Sequence, residues 1–177
     1  MKNSIKLISL LALITACSPD ENVSSVLIFK NNMDGIHAWT EKHPANFIRT
    51  DIAYSGLYVC KVNNESPYST TFYVKLGDIN SKTLKKLKVS GWIQVPDMNA
   101  QATLVVDLLD QNKQSFDYIA KYCMKELKDT NKWVKITNEI NLSTGNRNNP
   151  ENFVKVYFTN NAQQPLLVDD MIVEFED

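Results

Sequence analysis

Hydrophobic and polar residues alternate along most of this chain, and no stretch holds a helical period through three turns. Segment 70–76 sets Phe72, Val74 and Leu76 on one side and Tyr73 and Lys75 on the other. Segment 87–95 sets Val89, Gly91, Ile93 and Val95 against Ser90, Trp92 and Gln94, then stops at Pro96-Asp97. In 102–109, Ala102, Leu104, Val106 and Leu108 oppose Thr103, Val105 and Asp107. The same period predicts strands over 26–30, 47–53, 56–63, 133–140, 153–159 and 166–175. Segment 115–127 is the longest, with Phe116, Tyr118, Ala120 and Tyr122 on a common face. Its second half, rich in Lys, Met, Glu and Leu, also suits a helix, but its β-branched and aromatic beginning favours a strand. Asn, Asp, Gly and Pro punctuate the intervals, as in 143–150 and 160–165. About nine short strands at this spacing predict an all-β fold, and one apolar face per strand predicts an antiparallel two-sheet β-sandwich.

The N-terminus stands outside this pattern. Lys2 and Lys6 precede a mostly apolar run over 7–16, well below the roughly 20 residues of a membrane-spanning helix. It ends in Leu13-Ile14-Thr15-Ala16-Cys17, small residues leading into a cysteine, and 1–16 reads as a cleaved signal peptide. The segment resembles the bacterial lipoprotein signal, which implies cutting before Cys17 and lipid on the new terminal cysteine. At about 0.8 kcal/mol per buried methylene, several acyl chains hold a protein to a bilayer almost permanently. Ser18 stands where an Asp would favour the inner membrane, so the resemblance implies the outer membrane of a Gram-negative cell. Asp20-Glu21 resembles a short acidic surface-export signal and reads equally as part of a solvated tether. Residues 17–24 then form the lipidated tether, and 25–177 a single domain.

Nineteen basic and twenty acidic side chains leave a net charge of −1, too little field to hold a phosphate backbone, and nucleic acid is not an expected partner. A 44% hydrophobic and 22% charged composition excludes wholesale disorder. Cys60 and Cys123 remain once Cys17 is lipidated; an exported protein permits their disulfide, while two buried free thiols serve equally. His37 and His43 share a loop without a third ligand, and no nucleophile elbow or zinc-protease motif appears. No enzyme is expected.

Several landmarks occur in a recognisable order. Trp39 ends an early loop, followed by Tyr54-Ser55-Gly56-Leu57-Tyr58, Val89-Ser-Gly-Trp92-Ile and Trp133-Val-Lys-Ile136. Val154-Lys-Val-Tyr-Phe158 and Leu166-Leu-Val-Asp-Asp-Met-Ile-Val173 close the series. Together they resemble the galactose-binding-like jelly roll of many non-catalytic carbohydrate-binding modules. The resemblance covers Val26 to the C-terminus.

In the last strand Asp169 falls in phase with Leu167, Met171, Val173 and Phe175, which makes it an inward carboxylate that needs a partner. The resemblance implies a structural calcium held by Asp169, with Asp34, Gly35 and main-chain carbonyls of 29–32 as suppliers. The alternative is an Asp that accepts main-chain hydrogen bonds and pins the Trp39 loop. Trp92 shares the non-core phase with Ser90 and Gln94, a mixture suited to stacking on a sugar ring while binding its hydroxyls. Tyr73, Asp107 and Tyr157 have the same phase in their strands and join that face if they lie on one sheet; packing under a loop is the alternative. The expectation is a non-catalytic lipoprotein that binds a glycan through an aromatic face. The alternative is a protein-interaction or structural lipoprotein of the envelope, with a protein partner and no sugar ligand.

Overall fold

The computed structural model describes residues 25–35, 39, 47–79 and 83–177. The signal segment, Cys17, His37 and His43 lie outside the described residues. Chain order is β1 (Val26–Asn31), β2 (Phe47–Arg49), β3 (Tyr58–Val62), β4 (Phe72–Lys75), α1 (Leu76–Ile79), β5 (Lys86–Gln94) and β6 (Thr103–Leu109). It continues with β7 (Ser115–Tyr122), β8 (Val134–Asn141), β9 (Phe153–Thr159) and β10 (Leu166–Glu176). One sheet has the order β2-β3-β10-β5-β8, with β1 also paired to β10; the other is β4-β9-β6-β7. Every strand pairing is antiparallel. The fold is thus the all-β two-sheet sandwich that the alternating pattern predicts.

The largest departure in strand length falls in 115–127. The strand ends at Tyr122, a turn closes through Glu126 N–H to Cys123 O at 3.0 Å, and no helix follows. Ala120, Lys121 and Tyr122 already pair with Val105, Leu104 and Thr103, so their main-chain groups are committed to the ladder.

Leu104, Val106, Leu108, Val154, Val156 and Phe158 of one sheet meet Leu87, Val89, Ile93, Ile136, Val173 and Phe175 of the other. Gly91 stands where the sheets come closest. A Cβ there would lie 2.8 Å from Phe158 Cε2 and 3.3 Å from Met171 Cγ, so the bare backbone makes room for the ring. Trp39, Phe29, Phe72 and Phe175 pack as a run of aromatic contacts, with centroids 5.0–6.2 Å apart. Asn160, fully buried, ties three segments together. Its amide donates to Val62 O and Gln164 O, and its Oδ1 accepts from Gln101 and Ala162. Cys60 and Cys123 are both free and buried, and burial pushes their thiols up to about 12 and about 11. They pack as small apolar groups.

The register of β10 corrects one expectation. A bulge separates Asp169 from Ile172, and Asp170 has a φ of 43°. Leu166 and Val168 face the core before the bulge, and Met171, Val173 and Phe175 after it. Asp169 pairs with Trp92 and therefore shares its outer face, out of phase with Met171, Val173 and Phe175. An extra residue in one strand shifts the side-chain alternation, which a strict period of two does not anticipate.

Candidate glycan-binding face

Each sheet has an outer face, and the two are finished differently. On the six-stranded sheet the loop 50–57 folds down over Trp92. Tyr54 stacks on the indole with centroids 3.9 Å apart and planes at 17°. Trp133 meets Tyr54 edge-on at 6.1 Å and donates its Nε1–H to Ile52 O at 2.8 Å. Asp169 Oδ2 accepts the N–H groups of Tyr54 (3.0 Å) and Ser55 (3.1 Å), and Asp170 Oδ1 accepts the Ser55 hydroxyl at 2.8 Å. From the other side Asp34 Oδ1 accepts the N–H groups of Leu57 (2.8 Å) and Tyr58 (3.0 Å). Gly56 has a φ of +61°, and a Cβ there would collide with the Asp34 carboxylate. Glycine is required both by the left-handed turn and by the close approach.

Asp34 and Asp169 are thus brought to one loop, as acceptors of its N–H groups. No group of three or more acidic, histidine or cysteine side chains converges for a metal among the described residues. Asp169 acts as a hydrogen-bond acceptor and, among the described residues, pins 54–55. Tyr54 covers one face of Trp92, which stays part-exposed, and Gln94 is only 4% exposed.

The four-stranded sheet has no such loop among the described residues. Register aligns Tyr73, Lys155, Asp107 and Tyr118 in one row across β4, β9, β6 and β7. Flanking rows hold Tyr157, Val105 and Ala120 on one side and Phe153 and Leu109 on the other. Thr159, Thr103 and Tyr122 form a further row, and Tyr68 bridges to Thr159. Five of the seven tyrosines therefore stand on one face; the other two, Tyr54 and Tyr58, belong to the opposite sheet and its loop. Tyr68, Tyr73, Tyr118 and Tyr122 are 39–56% exposed, large apolar surfaces left in water. Val105 is fully buried yet stands on this outer face, so the rings around it form its cover.

The rings are ordered by contact. Tyr73 and Phe153 stack at 5.4 Å and 8°, while Tyr68 meets Tyr157 edge-on at 5.5 Å. Asp107, 8% exposed, accepts the Ser115 hydroxyl at 2.5 Å. Burial raises the Tyr157 hydroxyl well above the usual phenol range, and its hydrogen bond to Tyr118 and the Asp107 charge add to the rise. It stays a neutral donor and acceptor at any physiological pH. Flat aromatic surface interleaved with a carboxylate and neutral hydroxyls can stack on the apolar side of a ring and hydrogen-bond its edge. A charged cleft of about 510 Å³, lined by Lys86, Glu139, Asn141 and Glu176, lies at β5, β8 and β10 and shares no residue with this face.

Of the expected ligand residues, Tyr73, Asp107 and Tyr157 come together here, while Trp92 and Gln94 lie on the other sheet. Tyr68, Tyr118, Tyr122 and Phe153 were not anticipated as members. The common phase of Tyr118, Ala120 and Tyr122 was the available signal, since an exposed face with that many rings has no packing use.

No family model matches the chain, and no curated protein matches it. Solved structures do. The CBM22-1 xylan-binding domain of Paenibacillus barcinonensis Xyn10C aligns with a TM-score of 0.54 and 17% identity, over 83% of this chain and 92% of that one. The CBM22-1-CBM22-2 tandem of the same enzyme gives 0.56 and 16%, over 88% of this chain and 47% of that longer one. The xylan-binding module CBM15 gives 0.53 and 9%, over 85% and 97%. At such identities the likeness defines a fold: the chain is a jelly-roll β-sandwich of the kind found in carbohydrate-binding modules.

Two outcomes follow from the roofed face. Trp92→Ala removes the ring on which Tyr54 rests and is expected to cost about 2–4 kcal/mol. Urea unfolding reads this loss, and an unchanged midpoint would refute the packing role. Burial raises the Asp169 carboxyl to about 6, against the lowering effect of the Ser55, Asp170 and Tyr54 N–H groups. Its folded pKa lies above its ordinary value, so between about pH 6 and pH 4 the folded state holds a proton that the unfolded chain lacks. The contribution of Asp169 therefore grows more favourable as pH falls through that window. Urea unfolding of Asp169→Asn against the parent at pH 7 and pH 5 is expected to show this slope only in the parent; equal slopes would refute it.

Proposed function

We propose that this protein is a non-catalytic glycan-binding lipoprotein, and that the outer face of β4-β9-β6-β7 is its binding surface. The observation that carries the reading is the row Tyr73–Lys155–Asp107–Tyr118 with its flanking rings, an open aromatic platform with polar groups at its centre. Sugar rings lie on tyrosine faces, and their hydroxyls bond to Asp107 and the Tyr157–Tyr118 pair. Binding of this type is shallow, and its strength comes from stacking over several sugar units rather than from an enclosed pocket. Two of the neighbouring structures are xylan-binding modules, which makes soluble xylan the first probe. Lipid on Cys17 holds the module at the outer membrane, so that the platform retains polysaccharide beside the cell.

The platform is tested by affinity electrophoresis through gels containing xylan or other soluble polysaccharides. Retardation by at least one polymer is expected, with Tyr73→Ala and Tyr118→Ala each weakening it about fivefold or more. Both side chains are exposed, so the variants should melt with the parent. Absence of retardation by every polymer defeats the reading. The anchor is tested separately by Cys17→Ala, which should move the protein from the membrane pellet to the soluble fraction. Continued sedimentation with membranes would contradict lipidation.

A further inference from the structure

Two lysines on the platform are held in an unusual way. In register Lys155 lies between Asp107 on β6 and Tyr73 on β4. Its ammonium takes the ring, 5.7 Å above the Tyr73 centroid, and makes no ion pair with Asp107. The Asp107 carboxylate turns to the Ser115 hydroxyl instead. Lys113 reaches the same place from the β6–β7 turn, 5.7 Å from the centroid of Phe153. Tyr73 and Phe153 are the stacked pair, so two ammonium groups are gathered over one aromatic unit.

Lys113 is also placed at some cost. Its φ is 63°, a conformation that Gly or Asn adopts more cheaply. The turn is closed by Lys113 N–H to Asp110 O at 2.9 Å and by Asp110 Oδ1 accepting from Asn112 and Gln114. The Asp110 carboxylate is thereby occupied with the turn's own N–H groups. Ion pairs among the described residues use Lys75, which stands on the same face beside Phe153 and pairs with Glu151, and Lys86, Lys88, Lys121, Lys132 and Arg147, but neither Lys113 nor Lys155.

We infer that the glycan bound by this face is anionic, and that Lys113 and Lys155 receive an acid group, carboxylate or sulfate ester, carried by a sugar bound beside the Tyr73–Phe153 pair. The inference rests on the reading of this face as a glycan site and specifies its substrate class. A cation seated on a ring keeps most of its charge for a second partner. Lysine suits this role as a mobile point charge that follows a substituent on a flexible polymer. Asp107 and the Tyr157–Tyr118 hydroxyls, farther across the sheet, then take neutral sugar hydroxyls.

Affinity electrophoresis of the full chain is run against three polymers: polygalacturonate for carboxylate, carrageenan for sulfate and unsubstituted xylan for neutral sugar. Stronger retardation by one acidic polymer, weakened by added sodium chloride, is expected, and the favoured polymer identifies the acid group. Lys113→Gln and Lys155→Gln should each weaken that retardation about two- to fivefold, the range of an exposed charge pair, and remove most of its salt dependence together. Lys128→Gln, an exposed lysine beyond the end of β7, controls for general charge and should change nothing. Equal retardation by acidic and neutral polymers, or acidic binding indifferent to both platform lysines, overturns the inference and leaves the glycan-binding reading standing. No retardation by any polymer defeats the reading on which it rests.

Discussion

Two sheets must close on each other here without a helix between them, and everything else in the molecule is arranged around that closure. It is tightest where Phe158 of β9 rests against the bare backbone of Gly91 in β5, with Met171 beside it. Side chains that point inward along each strand are consumed by this contact, because protein interiors are packed to crystal density and leave no room for polar work. Chemistry is thereby confined to the outer faces, where alternate residues of the same strands emerge.

The two outer faces are finished by opposite means. Over the six-stranded sheet the loop 50–57 is drawn down by carboxylates at both ends, Asp34 on one side and Asp169 with Asp170 on the other. Its Tyr54 and the Trp133 indole then complete an aromatic cluster with Trp92. Buried N–H groups need acceptors, and a carboxylate that takes two of them is a strong anchor. The four-stranded sheet carries no such loop among the described residues: Tyr73 stacks on Phe153, Tyr68 meets Tyr157 edge-on, and Tyr118 and Tyr122 are about half exposed. All three tryptophans pack against other rings, while four tyrosines of the four-stranded sheet's outer face are exposed.

The strands were largely legible from the chain, because a half-buried strand writes its environment in every second residue. Segments 87–95, 102–109 and 153–159 appear almost where alternation places them. The final strand was legible in extent and misleading in detail. One extra residue at Asp169–Asp170 shifts the phase, so a carboxylate that counts as inward emerges beside Trp92. Trp92 and Gln94 illustrate a second limit. Their phase correctly marks them as facing away from the core, but whether a loop lies over that face depends on residues more than 35 positions away in sequence.

Alternation, turn chemistry and the signal-like N-terminus suffice to determine strand positions, the sandwich class and the expectation of a membrane anchor, since each is a local property of consecutive residues. Which side chains share a sheet is not local. Tyr73, Tyr118 and Tyr157 come from three strands whose adjacency is created only by the order β4-β9-β6-β7. Any strand order would satisfy the same period of two. Only the tertiary structure could gather the tyrosines on one open face and leave the tryptophans beneath the loop or packed against the core.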